Sequence, residues 1–76
     1  MAENLKARGI EFILSAQRCE ENKDLPSAIN DYRSGIEYLM TAMKYERNET
    51  AKEIVHGRIK AYQERVEQLQ QMLDTH

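Results

Sequence analysis

Apolar residues recur at helical spacing along three stretches of this chain, separated by two polar breaks. In the first stretch Leu5, Gly9, Phe12, Ala16 and Cys19 follow at intervals of 4, 3, 4 and 3. That is one face of a helix running from about Ala2 to Asn22. Ile10 and Ile13 sit beside the stripe and widen it. The link ENKDLPS follows, with Asp24 placed to cap the next helix and Pro26 in its first turn, where a missing N–H costs nothing. The second helix is predicted to reach about Glu46, with the stripe Ala28, Tyr32, Gly35, Leu39 and Ala42 and a parallel line of Ile29, Ile36 and Met43. An apolar surface that wide predicts packing on two neighbours.

RNET, at 47–50, is the second break. Asn48 is expected to end one helix and Thr50 to cap the next, with Glu53 completing a capping box. The third stretch repeats Val55, Ile59, Tyr62, Val66, Leu69 and Leu73. No strand alternation interrupts these patterns, and short links between long helices favour antiparallel neighbours. The predicted fold is all-α, an antiparallel up-down-up three-helix bundle. Residues 1–76 form one domain in this reading, with helices at about 2–22, 25–46 and 51–74.

Gly35 interrupts that picture, because glycine inside an exposed helix costs about 1 kcal/mol relative to alanine. It lies on the buried stripe, between Tyr32 and Leu39. There the missing side chain predicts a close crossing with a neighbouring backbone, spanned by Tyr32 with its hydroxyl on a polar partner. Tyr38 points elsewhere and is expected at the surface.

The totals narrow the function. Seventy-six residues support one small core. A net charge of −2 lacks the basic stripe of a nucleic-acid module. A single cysteine, Cys19, excludes an intrachain disulfide and fits a reducing compartment. Apolar runs such as FIL at 12–14 are far shorter than the ~20 residues of a membrane span or the ~7–15 of a signal peptide. A cytoplasmic protein is expected.

Catalytic signatures are missing. There is no Walker-type loop, no paired-cysteine zinc spacing and no HExxH. His56 lies among charges, His76 ends the chain, and Cys19 reads as a small buried hydrophobe without a base beside it. No enzyme, metal or cofactor is expected within the 76 residues.

The run AINDYRSGIEYLMTAMKYE from Ala28, followed by KEIVHGRIKAYQERVEQL, resembles the MIT (microtubule-interacting and trafficking) domain. The matching features are Ala28, Tyr32, Gly35, Leu39 and Ala42, the Lys44-Tyr45-Glu46 end, and Tyr62, Arg65, Glu67 and Leu69. RGIEFILSA on the first helix fits as well. Within the family the chain is most similar to the N-terminal domain of the vacuolar-sorting AAA ATPases that disassemble ESCRT-III polymers.

The resemblance implies binding of short motifs in the C-terminal tails of ESCRT-III subunits. One motif class adds a helix between the second and third helices, and another lies extended between the first and third. It also implies recruitment of a host protein to endosomal or other ESCRT-III-coated membranes. Candidate contacts between the second and third helices are Met40, Ile59, Gln63, Glu64, Val66 and Glu67, with Leu73 farther along the same flank. Glu64 and Glu67 share a helical face and are placed to pair with cationic partner residues. Ile10 and Ile13 are the candidates for the groove between the first and third helices.

Gln63 departs from the family pattern, which normally has leucine after the helix-three tyrosine, and Val66 replaces the usual alanine. Both changes weaken the expected groove beside the second helix and shift weight to the one beside the first. The competing readings are an MIT domain of another host (a microtubule-severing ATPase, kinase, protease or deubiquitinase) and a helical-repeat or oligomerisation module. Repeats of about 34 residues need stacked copies, and no second copy is present, so an isolated monomer is expected.

Overall fold

A computed structural model describes residues 2–75. Three helices follow one another: α1 (Ala2–Glu21), α2 (Leu25–Lys44) and α3 (Glu49–Asp74). They form the expected three-helix bundle, and no strand occurs among the described residues. His76 lies outside them.

Two short breaks do several jobs at once. Lys23 adopts a left-handed φ of 64° just beyond α1. Around it the Asp24 N–H donates to the Cys19 carbonyl at 2.8 Å and the Lys23 N–H to the Glu20 carbonyl at 3.0 Å, which is a Schellman closure. The Asp24 side chain then accepts from the Ser27 N–H, so one residue helps close α1 and opens α2. The second break differs from the sequence expectation. Asn48, not Thr50, caps α3, accepting from the Ala51 N–H at 3.1 Å, so the helix begins at Glu49 rather than Ala51. Glu46 takes the preceding turn, accepting from the backbone N–H groups of Arg47 and Asn48.

Packing follows the stripes. Ala28, Ile29, Tyr32, Ile36, Leu39 and Ala42 of α2 are all buried, as are Ile59, Val66 and Leu69 of α3. On α1 the buried line is Gly9, Ile13 and Ala16. Ile13 is therefore central rather than flanking, and Phe12 is displaced towards the rim. There Phe12 stacks on Tyr38, ring centres 5.5 Å apart, so Tyr38 is half-covered rather than free at the surface.

The α1/α2 crossing is made of small residues. A Cβ on Gly35 would stand 2.7 Å from Ile13 Cδ1 and 2.9 Å from the Gly9 carbonyl oxygen. A Cβ on Gly9 would meet Leu39 Cγ at 2.9 Å and the Gly35 carbonyl oxygen at 3.1 Å. The two backbones thus touch at a pair of facing glycines, with Ala16 and Ala28 fully buried farther along. By contrast α3 meets α2 through larger side chains (Ile59, Tyr62, Val66 and Leu69). The central helix α2 packs on both neighbours, whereas no Cα of α1 comes within 8 Å of a Cα of α3 among the described residues.

The glycine pair gives a sharp comparison with Gly57, where a Cβ would meet nothing within 4 Å. Gly35→Ala gains about 1 kcal/mol of helix propensity but overpacks the crossing at a cost of about 1–3 kcal/mol. Urea denaturation is expected to show Gly35→Ala destabilised, Gly35→Leu unfolded or rearranged, and Gly57→Ala stabilised by about 0.4–1 kcal/mol. Equal gains for the two alanine variants would exclude the close crossing.

Candidate functional site

Because α1 and α3 both lean on α2 while their backbones stay apart, a cleft of about 540 Å³ opens between them. Leu39 and Tyr62 contribute to its lining from the core side, and Ile13 is its buried member from α1. One wall carries Ile10 and Leu14, four residues apart on α1; the other carries Ile54 and Arg58, four apart on α3. Ile10, Leu14 and Ile54 are 45%, 49% and 56% exposed, so three aliphatic side chains stand half in water along one trough. The charged residues lining it are both cationic, Lys6 and Arg58.

The groove between α2 and α3 is smaller, about 300 Å³, and more polar. Arg33, Ile36 and Glu37 line it from α2, Gln63 and Val66 from α3. The anticipated residues separate accordingly. Gln63 and Val66 line this groove; Met40 is exposed one turn beyond Ile36 and Glu37 on α2. Glu64 and Glu67 are exposed on α3 outside the groove lining. Ile59 belongs to the buried core. Ile10 and Ile13 both line the larger cleft, the first as wall and the second beneath it.

Helical periodicity does not single out Lys6, Leu14, Ile54 and Arg58. The signal for the aliphatic pair is an apolar residue at i and i+4, or next to a buried position, that widens a stripe past what the core needs.

At one end the cleft is spanned by polar contacts. Glu20 of α1 accepts from Arg65 of α3, from Nε at 2.9 Å and also from the terminal Nη2, both on Oε1. The Tyr32 hydroxyl of α2 donates to the other carboxylate oxygen, Oε2. Arg65 Nη1 additionally donates to Gln68 at 2.9 Å. One residue from each helix therefore meets at this point, and the hydroxyl of Tyr32 has the polar partner its place on the stripe predicted. Tyr32 also stacks on Tyr62, ring centres 6.0 Å apart, which links this clasp to the cleft lining.

The clasp holds its charges. Burial pushes the Glu20 carboxyl up, but the hydrogen bonds from Arg65 and Tyr32 and the guanidinium charge outweigh it, leaving the group below the usual carboxylate range. Burial, then the bond to Glu20, pushes the Tyr32 phenol well above its ordinary range. The bond to Glu20 likewise raises Arg65. Cys19 sits nearby with Sγ 3.8 Å from Asp31, which also accepts from Ser15 at 2.6 Å. Burial and the Asp31 charge raise its thiol, which favours the protonated form over the thiolate. Among the described residues no group of His, Cys, Asp and Glu is placed to hold a metal ion. No helix there is long and apolar enough to cross a membrane.

A depressed folded-state pKa at Glu20 contributes stability that is complete above the ordinary carboxylate value and lost as pH falls through the lower folded value. Glu20→Gln is therefore expected to be less stable than the parent at neutral pH, with the difference shrinking towards acid. Denaturation midpoints across the acid range check this; a constant offset at every pH would contradict it.

The chain matches the MIT (microtubule interacting and transport) domain family over residues 7–71. It is 30% identical over 71 residues to vacuolar protein sorting-associated protein 4 of Dictyostelium discoideum, covering 93% of this chain and 16% of that protein. It is 28% identical over 74 residues to the Arabidopsis thaliana protein SUPPRESSOR OF K(+) TRANSPORT GROWTH DEFECT 1, covering 97% of this chain and 17% of that protein. It thus spans about a sixth of these curated relatives. With three helices in the expected order and a match covering most of its length, the chain belongs to the MIT domain family.

Proposed function

We propose that this chain is a recruitment domain that binds tail segments of ESCRT-III-type proteins and brings its host, an AAA ATPase of endosomal sorting, to the membranes those proteins coat. Family membership and likeness to a vacuolar protein sorting protein support the partner class. The observation that carries the binding mode is the row of half-exposed aliphatic residues, Ile10, Leu14 and Ile54, along the α1/α3 cleft.

An isolated domain gains nothing by holding three aliphatic side chains in water on facing walls, whereas a partner segment buries them together. The length of the cleft sets how many residues of an extended segment it takes. From Lys6 to Gln17 the cleft wall runs eleven residues, about 17 Å at the helical rise. An extended segment covers that distance in about five residues. The cationic lining, Lys6 and Arg58, favours carboxylates flanking the apolar positions of the occupant.

The α2/α3 groove supports a second, weaker mode. An amphipathic helix laid there meets Val66 and Ile36 near Met40, with Glu64 and Glu67 at the edge for its cations. Gln63 puts a polar amide in the lining where a leucine would give an anchor. This groove is therefore the lesser contributor.

Titrating isotope-labelled protein with one peptide of each motif class, extended and helical, tests the reading. The extended peptide is expected to shift amides of Ile10–Gln17 and Ile54–Tyr62. Leu14→Asp or Ile54→Asp is expected to weaken it about tenfold or more, because a buried aliphatic side chain contributes about 1.5–3 kcal/mol and about 1.4 kcal/mol is tenfold. Shifts confined to α2 and the facing side of α3 would overturn the preference for the cleft.

A further inference from the structure

The geometry points to the Glu20–Tyr32–Arg65 clasp as a positioning device that closes one end of the α1/α3 cleft and sets how far apart its walls stand. The side chains lining the cleft run from Lys6 to Gln17 on α1 and from Ile54 to Tyr62 on α3. Each helix reaches its clasp residue three positions later, at Glu20 and at Arg65. The clasp therefore stands immediately past the last lining residue on both walls. The opposite end, by Lys6 and Ile54, carries no such bridge among the described residues.

Three observations separate this role from ordinary surface pairing. First, the α1 and α3 backbones stand apart, with no Cα of one within 8 Å of a Cα of the other, and the clasp is the side-chain hydrogen bonding that joins them among the described residues. Second, the pair is sheltered on its acidic side, with the Glu20 side chain 17% exposed and that of Arg65 43%. Third, it is oriented. Each carboxylate oxygen of Glu20 is taken by a different helix, Oε1 by Arg65 and Oε2 by Tyr32, and Tyr32 is itself fixed by burial and by its stack on Tyr62. A carboxylate fixed from two directions defines the distance between α1 and α3 better than a single flexible ion pair does. Tyr62, which lines the cleft, then senses both the clasp and any occupant.

The cleft consequence rests on the binding mode proposed above; the geometric one does not. With the clasp intact, an extended segment ends against Glu20 and Arg65, and the separation of the walls is fixed at that end. With the clasp cut, the end opens and α1 and α3 separate while α1 stays on α2 through the glycine crossing. Glu20, Tyr32 and Arg65 are thus positioning residues that act through the shape of the cleft.

Pulsed electron resonance distances between spin labels at positions 18 and 64 test this, in a Cys19→Ala background. Arg18 and Glu64 are exposed, sit beside the clasp and take no part in it. A second label pair, at the exposed positions Glu11 and Asn30, reports α1 against α2. Glu20→Ala and Arg65→Met are each expected to move the 18–64 distribution outward and broaden it, leaving the 11–30 distribution and the helical circular dichroism as they were. The charge swap Glu20→Arg with Arg65→Glu is expected to return it towards the parent.

An unchanged 18–64 distribution, or a loss of both distances together, would overturn the proposal; in the second case the clasp holds the whole fold rather than the cleft. Should either single variant fail to fold, Tyr32→Phe, which keeps the buried ring, is expected to give a smaller outward shift, and no shift overturns the idea. Binding of the extended peptide is expected to weaken in the single variants and recover in the swap, without change at the α2/α3 groove. Widening without any change in that binding would overturn the positioning role. A parent protein that does not bind the peptide at all would overturn the cleft reading, with the distances still deciding whether the clasp sets the separation.

Discussion

The bundle depends on the contact between Gly9 and Gly35. There the α1 and α2 backbones come so close that a single Cβ on either residue would lie about 3 Å or less from a side chain or carbonyl of the other helix. A helix pair at that separation cannot place α3 symmetrically between its members. Large residues on α3 seat it on α2, the one helix apolar around enough of its circumference to serve two partners. The α1/α3 cleft is then the remainder: space left when one pair packs backbone to backbone and the other through side chains.

Much of this was legible in the sequence. The α2 stripe of Ala28, Tyr32, Gly35, Leu39 and Ala42 is buried throughout, because a helix with two neighbours leaves its periodicity little ambiguity. The α1 stripe was less secure. Ile13 and Phe12 are adjacent, and only the rotation of α1 about its axis decides which enters the core. That rotation is fixed by Ile13 Cδ1 packing over Gly35, a contact between residues 22 positions apart. The start of α3 misled for a local reason. Asn48 and Thr50 are both good caps, and the capping box pattern favoured Thr50, whereas Glu46 spends its side chain on the Arg47 and Asn48 N–H groups and hands the helix start to Asn48.

The candidate sites were legible only in part, for a different reason. A groove is a property of two helices together, while periodicity describes one at a time. Ile59, Gln63 and Val66 lie on one line, yet Ile59 is core, Val66 is core and groove floor at once, and Gln63 is exposed at the groove. Conversely, Leu14 and Ile54 fall outside the stripes of their own helices. They become one feature only once α1 and α3 are set side by side.

The clasp sets how far that feature opens at one end. Apolar side chains facing one another across a gap of this kind favour collapse, which removes them from water. Collapse of α1 onto α3 is opposed by the glycine crossing, which holds α1 on α2, while the Glu20–Arg65 bond keeps the far end from opening wider. An ion pair is a poor source of net stability when its partners must be desolvated, and an apolar pair of similar volume often stabilises more. What it supplies instead is geometry: a carboxylate with both oxygens committed, met by a long guanidinium arm, fixes the span between two helices. A leucine pair at the same place would draw α1 and α3 into contact and fill the cleft from its closed end. The polar contact is therefore the element that keeps the apolar one available to a partner.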